Sequence, residues 1–315
     1  MRDSVILVTG ASGFVGRAVC RGLAASSNVR AAVRNLASVP RDDGISYVEG
    51  HLDHGFDWFQ NLVGTHAVIH CAGLAHITKG KPNFNEDAYN QINVQGTVAL
   101  ARQAALAGTK RFIFISSIGV NGDKTERGSP FHELSVPQPV SIYAKSKLAA
   151  EKELHLIAQE TGLEIVIIRP PMIYGAGAPG NFGLLQKVLK SGWPLPFGAV
   201  QNLRSFIGIE NLVDFVRICI RNPNAANQTF VVSDGQDLST TELLNLMRSN
   251  LNSKSLNLPV SVAFLRATAR LVRKDNLMTS LCSDLQIDIS KARTALDWSP
   301  IKSPEAGITA ALVEC

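Results

Sequence analysis

Short apolar runs recur through the first half of the chain, separated by longer stretches in which apolar positions return at helical spacing. Val5-Ile6-Leu7-Val8 is apolar throughout, as a strand covered on both faces must be. Similar runs at 29–33, 45–48, 66–70, 112–115 and 165–168 predict further strands. Residues 14–25, 85–107 and 141–161 carry the helical period. Alternation of strand and helix with such crossovers predicts an α/β fold, a doubly wound parallel sheet with helices on both faces. After Arg169 the texture changes: Pro170, Pro171, Gly175, Gly177, Pro179 and Gly180 break any regular element. The expected division is therefore a first domain over 1–175 and a smaller lobe over 176–315, with some segments of the lobe returning to the first domain.

With 315 residues, 45% of them apolar, the chain can bury a substantial core. Its net charge of +5 is spread along the chain apart from two short clusters, Arg30/Arg34/Arg41 and Arg266/Arg270/Arg273/Lys274, which suits an anionic small ligand and argues against nucleic acid. Five cysteines without CxxC spacing predict reduced thiols and a cytoplasmic location. No signal peptide is recognised, and no apolar run reaches the length of a membrane span. Residues 260–273 form a basic amphipathic stretch, read as a lobe helix with a solvated face, membrane-surface binding being the alternative. Phe112, Phe114 and Trp193 are expected in the core. His66, His70, Cys71 and His76 crowd one region, but no acid joins them on the strand and no metal is expected.

Gly10-Ala-Ser12-Gly13-Phe14-Val15-Gly16 follows the first strand and opens a helix. Gly10 suits a tight turn, Gly13 allows backbone N–H groups to approach a pyrophosphate, and Gly16 allows helix and strand to pack closely. This is the dinucleotide-binding turn of a Rossmann-type sheet, in its GxxGxxG spacing. The second strand ends in Arg34 where an acid would hold a ribose 2′-OH. A guanidinium there suits a 2′-phosphate, so the cofactor is read as NAD(P)(H), with NADP(H) favoured. Tyr143 and Lys147 lie four apart on a predicted helix, where an ammonium lowers a phenol's pKa. Ser117, at the end of the fifth strand, completes a proton-transfer set beside the cofactor crevice.

With these motifs in order, the chain resembles the extended short-chain dehydrogenases/reductases of the UDP-glucose 4-epimerase group over nearly its whole length. The supporting runs are Val68-Ile-His-Cys-Ala-Gly73, Asn93-Val-Gln-Gly-Thr97, Arg169-Pro-Pro-Met-Ile-Tyr-Gly175 and Arg204-Ser-Phe-Ile-Gly-Ile-Glu-Asn211. SSIGVNG, IIRPPMIYG, GNF and VVSDG are most similar to 4-reductases of UDP-4-keto-6-deoxy-N-acetylhexosamines in surface-polysaccharide biosynthesis. The resemblance implies catalytic Ser117, Tyr143 and Lys147. It implies cofactor contacts at His51, Leu52, Cys71, Ala72, Gly73, Asn93, Ser116 and Pro170, besides the glycine turn. Sugar and UDP contacts fall on His76, Ser117, Val120, Asn121, Tyr143, Asn181 and Arg204, with Phe206 as a candidate to stack on uracil. It also implies a homodimer formed through the two long helices.

Three departures matter. His51 stands where the group has an adenine-contacting acid. The group's second pyrophosphate arginine is replaced within Leu277-Met-Thr-Ser-Leu-Cys282, with Arg270 or Arg273 as candidates to substitute. Ile118-Gly119 occupies the place of the Asp-Glu pair of sugar 4,6-dehydratases. The leading expectation is a UDP-sugar C4 reductase. A UDP-hexose or UDP-N-acetylhexosamine 4-epimerase is the near alternative, and a non-catalytic NADP(H)-sensing protein is the distant one.

Overall fold

The computed structural model describes residues 4–39, 44–75, 85–271 and 275–313. Seven parallel strands form one sheet: β1 (Val5–Thr9), β2 (Asn28–Val33), β3 (Ile45–Glu49), β4 (Thr65–His70), β5 (Arg111–Ile115), β6 (Glu164–Arg169) and β9 (Gln228–Val231). β7 (Met172–Tyr174) and β8 (Phe206–Gly208) pair separately, also in parallel. The sheet order is β3-β2-β1-β4-β5-β6-β9, so the winding reverses between β1 and β4. Such a switch point opens a crevice at the carboxyl ends of the strands.

The apolar runs explain the layering. A strand sends successive side chains to opposite faces. Ile6 and Val8 therefore join one core with Val19 and Leu23 of α1 (Phe14–Ala24) and with Phe215 and Val216 of α7 (Ile209–Arg221). Leu7 joins the other core, with Trp58, Leu62 of α2 (Phe59–Leu62), Leu100 of α4 (Gly96–Leu106) and Leu154 of α5 (Ile142–Thr161). Phe112 and Phe114 lie fully buried in that second core, as expected. A third core in the lobe gathers α6 (Gly180–Lys190), α8 (Thr240–Asn250), α9 (Val262–Leu271) and α12 (Pro304–Val313) around Phe182, Met247, Leu265 and Ile308. α10 (Asp275–Cys282) and α11 (Ser290–Leu296) complete the chain.

The structure departs from the sequence reading in three places. The helix expected over 85–107 is α3 (Glu86–Tyr89), a π-helical turn Asn90–Gln95, and then α4. The seventh strand, β9, has no counterpart among the predicted runs, although its return from the lobe to lie beside β6 is of the kind expected. Trp193 is 71% exposed and lies outside the core.

Buried polar residues tie the returning segments together. The Tyr174 hydroxyl donates to Asp234 Oδ2 at 2.6 Å, and Asp234 Oδ1 accepts from Gly208 N–H and the Asn211 amide. The Asn211 carbonyl oxygen accepts from the Ile301 and Lys302 N–H groups. Four segments far apart in sequence thus meet on two side chains.

Candidate active site

The glycine turn is held by contacts that exclude a Cβ. Gly10 has φ +68°, and a methyl there would come 2.8 Å from the Ala72 backbone. A methyl on Gly16 would come 2.2 Å from the Gly10 carbonyl oxygen. Gly13 caps α1 without any side-chain bond, and the first turn of α1 has no acid. Ser12, Phe14 and Val15 belong to this same turn and helix start. Uncapped N–H groups at a helix N-terminus form an anion site. The turn therefore fits the pyrophosphate of a dinucleotide, which when bound supplies or accepts hydride.

From the turn the contacts lead to α5, which carries Tyr143 and Lys147. Gly10 packs on Ala72 and Cys71, and burial raises the Cys71 thiol well above its ordinary pKa. Gly73 follows, where a methyl would meet Asn93 Oδ1 at 3.0 Å and Lys147 Nζ at 3.6 Å. Asn93, in the π-helical turn, accepts from Leu74 N–H and donates to Leu74 O and Ser146 Oγ. Ser146 in turn donates to the Tyr143 carbonyl at 2.8 Å. Asn93 thereby ties the loop after β4 to the first turn of α5.

α5 starts where it does because Ser141 caps it, accepting from Ala144 N–H at 3.1 Å. This puts Tyr143 and Lys147 in the first two turns. Lys147 is buried, donates to Ile115 O at 2.9 Å and stands 4.3 Å from the Phe114 ring centroid. Burial lowers its pKa to about 8, opposed by Cys71 and Glu151. Its Nζ is 5.9 Å from the Tyr143 ring centroid. Burial pushes the Tyr143 phenol up to about 12, with Tyr89 adding to the rise. The ammonium was expected to lower that value; in the protein alone desolvation dominates, and Tyr143 is a protonated donor at neutral pH. Ser117 caps a short 3₁₀ turn, its Oγ accepting from Gly119 N–H at 3.1 Å. A methyl on Gly119 would touch Ser117 Oγ at 3.3 Å and Ala144 Cβ at 3.4 Å, so Ser117 and the start of α5 face each other.

Behind Ser117 lies a buried ion pair. Arg169 donates to both Glu151 oxygens and to Asn121 Oδ1, while Ser116 donates to Glu151 Oε1 at 2.5 Å. Ser116 and Asn121 are thus engaged within the protein, Asn121 also donating to His132 O. Val120 is fully buried, and the Pro170 carbonyl accepts from Ile118 N–H. The sequence reading missed the histidine chain underneath. Thr97 donates to Asn93 O, so it accepts from His70 Nε2, and Thr9 donates to His70 Nδ1 at 2.7 Å. Burial, with Lys147 nearby, holds His70 neutral, its pKa down at about 3. Nothing in the spacing of Thr9, His70 and Thr97 signals this chain. Among the described residues no group of three or more metal-ligating side chains converges.

At the adenosine end, Arg34 is exposed, just past β2. His51 pairs with Glu49 Oε1 at 2.9 Å and packs on Phe56, and the Leu52 carbonyl sits against Gly96. His76 lies outside the described residues, as does Arg273.

In the lobe, Arg204 is half-buried and donates to the carbonyls of Ser283 and Thr279. Burial lowers its pKa to about 10. Close by opens a cavity of about 430 Å³, lined by Lys124, Arg127, Asn202, Arg266, Ser283 and Asp284 among others. Three cations against one carboxylate make its wall suited to an anion. Arg266, and not Arg270, faces this cavity. Phe206 is buried in the lobe core, and Asn181 is exposed in the first turn of α6.

The model of the NAD dependent epimerase/dehydratase family matches residues 6–233 of the chain. A UDP-glucose 4-epimerase of Vibrio cholerae is 40% identical over 305 residues, covering 96% of this chain and 92% of that protein. An N-acetyl-alpha-D-glucosaminyl-diphospho-ditrans,octacis-undecaprenol 4-epimerase of Escherichia coli O157:H7 is 27% identical, covering 94% and 90%. The crystal structure of WbmG from Bordetella bronchiseptica with NAD and UDP superposes with TM-score 0.76 at 20% identity, covering 98% and 92%, a likeness of fold.

Proposed function

The chain belongs to the NAD dependent epimerase/dehydratase family, and on that premise we propose that it reduces the C4 carbonyl of a UDP-linked sugar, a 4-keto-6-deoxy-N-acetylhexosamine. In this reading Tyr143 gives its hydroxyl proton to the C4 oxygen, and a reduced nicotinamide coenzyme held at the glycine turn would supply the hydride that C4 takes up. Lys147 would orient the coenzyme ribose, and its ammonium stabilises the Tyr143 phenolate until a proton from solvent restores the phenol. Ser117 holds the C4 oxygen. Arg204 and the cationic cavity beside it receive the UDP diphosphate. Ile118 and Gly119 offer no acid or base, so water is not eliminated.

The observation that carries the choice of net reduction is the adenosine end. Arg34 is exposed and forms no hydrogen bond among the described residues, and His51 is taken up by Glu49. Neither side chain offers the carboxylate that grips the ribose of a permanently held NAD. A reductase must exchange its coenzyme at every turnover. The expected outcome is a protein that purifies largely free of coenzyme and consumes NADPH stoichiometrically with a UDP-4-keto-6-deoxy sugar, followed at 340 nm with chromatography of the sugars. Arg34→Asp should then shift preference toward NADH by about 10-fold or more. A second reading, UDP-sugar 4-epimerisation, is favoured by the Vibrio cholerae relative. It takes over if the protein carries tightly held NAD and interconverts C4 epimers with no coenzyme added.

A further inference from the structure

α9 has two faces that do different things. Leu265 and Ala269 are buried in the lobe core, and Val262 and Arg266 line the cationic cavity. On its outer face Phe264, Ala267 and Leu271 recur at i, i+3 and i+7, with Phe264 60% and Leu271 84% exposed. A ten-residue helix that leaves an aromatic and a leucine in water on one stripe is amphipathic in both directions, which core packing alone does not require.

The segment leading into α9 exposes further apolar side chains. Leu256 and Leu258 lie on a short ladder with Leu195, and Leu256 is 60% exposed. Trp193 is tied to the same ladder, its carbonyl accepting from Ser255 Oγ.

Charge singles out one occupant. From Leu243 to Lys274 the sequence holds no Asp or Glu, but Arg248, Lys254, Arg266, Arg270, Arg273 and Lys274. Those six positive charges exceed the +5 of the whole chain. Among the described residues, none of Arg248, Lys254, Arg266 and Arg270 forms an ion pair. Exposed Phe264 and Leu271 beside exposed Arg270, in a stretch of sequence without an acid, match the surface of an anionic bilayer, where aromatic side chains sit at headgroup depth and cations meet the lipid charge. A second copy of the chain docked through the same face would set Arg270 against a like charge. We propose that the outer face of α9, with Trp193, Leu256 and Leu258, docks this protein on an anionic membrane surface.

The test is co-sedimentation with vesicles of phosphatidylcholine containing about 30% phosphatidylglycerol, beside vesicles of phosphatidylcholine alone. The protein should bind the anionic vesicles at least ~5-fold more, and added salt should weaken binding. Trp58 and Trp298 are each 1% exposed, so a change in tryptophan emission on binding reports chiefly on Trp193, whose contribution should shift to the blue. The double variant Phe264→Ser/Leu271→Ser should lose about 10-fold in vesicle binding while keeping UDP binding, which shows that it is folded. Arg270→Glu should act in the same direction. The proposal is overturned if neutral and anionic vesicles bind alike. It is equally overturned if the double variant binds vesicles as wild type does, or if its only effect is to turn a dimer into a monomer by sedimentation velocity.

Discussion

At Tyr143 and Lys147 two ionisable groups share a site that favours the uncharged form of each. Desolvation raises one and lowers the other, so the resting protein at pH 7 holds a neutral phenol and an ammonium. Tyr143→Phe removes the proton donor and should reduce turnover by ~10²-fold or more with coenzyme binding nearly unchanged, measured by kcat against a coenzyme titration. Lys147 has the opposite sign of response to pH. Its folded pKa of about 8 lies below the ordinary 10.5, so it is charged below pH 8 and loses its proton above. kcat/KM, which reports the free enzyme, should therefore fall as pH rises through about 8. Stability should change the other way. Between pH 8 and 10.5 the unfolded chain keeps a proton that folded Lys147 has released, so this group makes the protein more stable as pH rises. Tyr143, Lys147 and Ser117 were legible in the sequence because their spacing and strand-end position are local. The Thr9–His70–Thr97 chain was not, because it depends on β1, β4 and α4 meeting in space, and no period along the chain records that meeting.

Elements were legible in proportion to their periodicity. The strands from β1 to β6 fell within two residues of the apolar runs, and α5 started at its Ser141 cap. The π-helical turn was hidden inside an unbroken apolar period, since one extra residue per turn hardly disturbs a pattern read over twenty positions. β9 was missed because its four residues carry too little pattern. A prediction belongs to the contact between α5 and β6. Arg169 and Glu151 are both buried, and their oxygens and nitrogens are shared with Ser116 and Asn121. Removing one partner leaves an uncompensated charge. Glu151→Ala should cost about 3–5 kcal/mol in urea unfolding, whereas Arg102→Ala, from an exposed pair with Glu160, should cost no more than about 1 kcal/mol.

Over the whole molecule, the proposed nucleotide cavity draws on chain positions as distant as Lys124, Asn202, Arg266 and Asp284. A ligand seated there adds to bonds that already join these segments, Arg127 to Asp284 and Asn202 to Ser283 among them, and because it binds the folded chain its binding should be felt in global stability. UDP at 100 times its Kd should add about 2.7 kcal/mol, seen as a rise in the thermal midpoint. Arg204→Ala should abolish most of that rise at the same UDP concentration, and an unchanged rise would remove Arg204 from the site. The lobe's course was the least legible part, because Tyr174, Asn211 and Asp234 join segments whose order in space has no counterpart in their order along the chain. The late arrival of β9 has a consequence for how the protein is made. A ribosome releases β6 some sixty residues before the strand that covers it. Until 228–231 emerge, the buried apolar strand Glu164–Arg169 presents a bare edge of N–H and C=O groups to the cell. Synthesis is vectorial, so every nascent chain passes through this half-clad interval, and a pause in translation between residues 170 and 231 should raise the fraction that aggregates or is captured by chaperones.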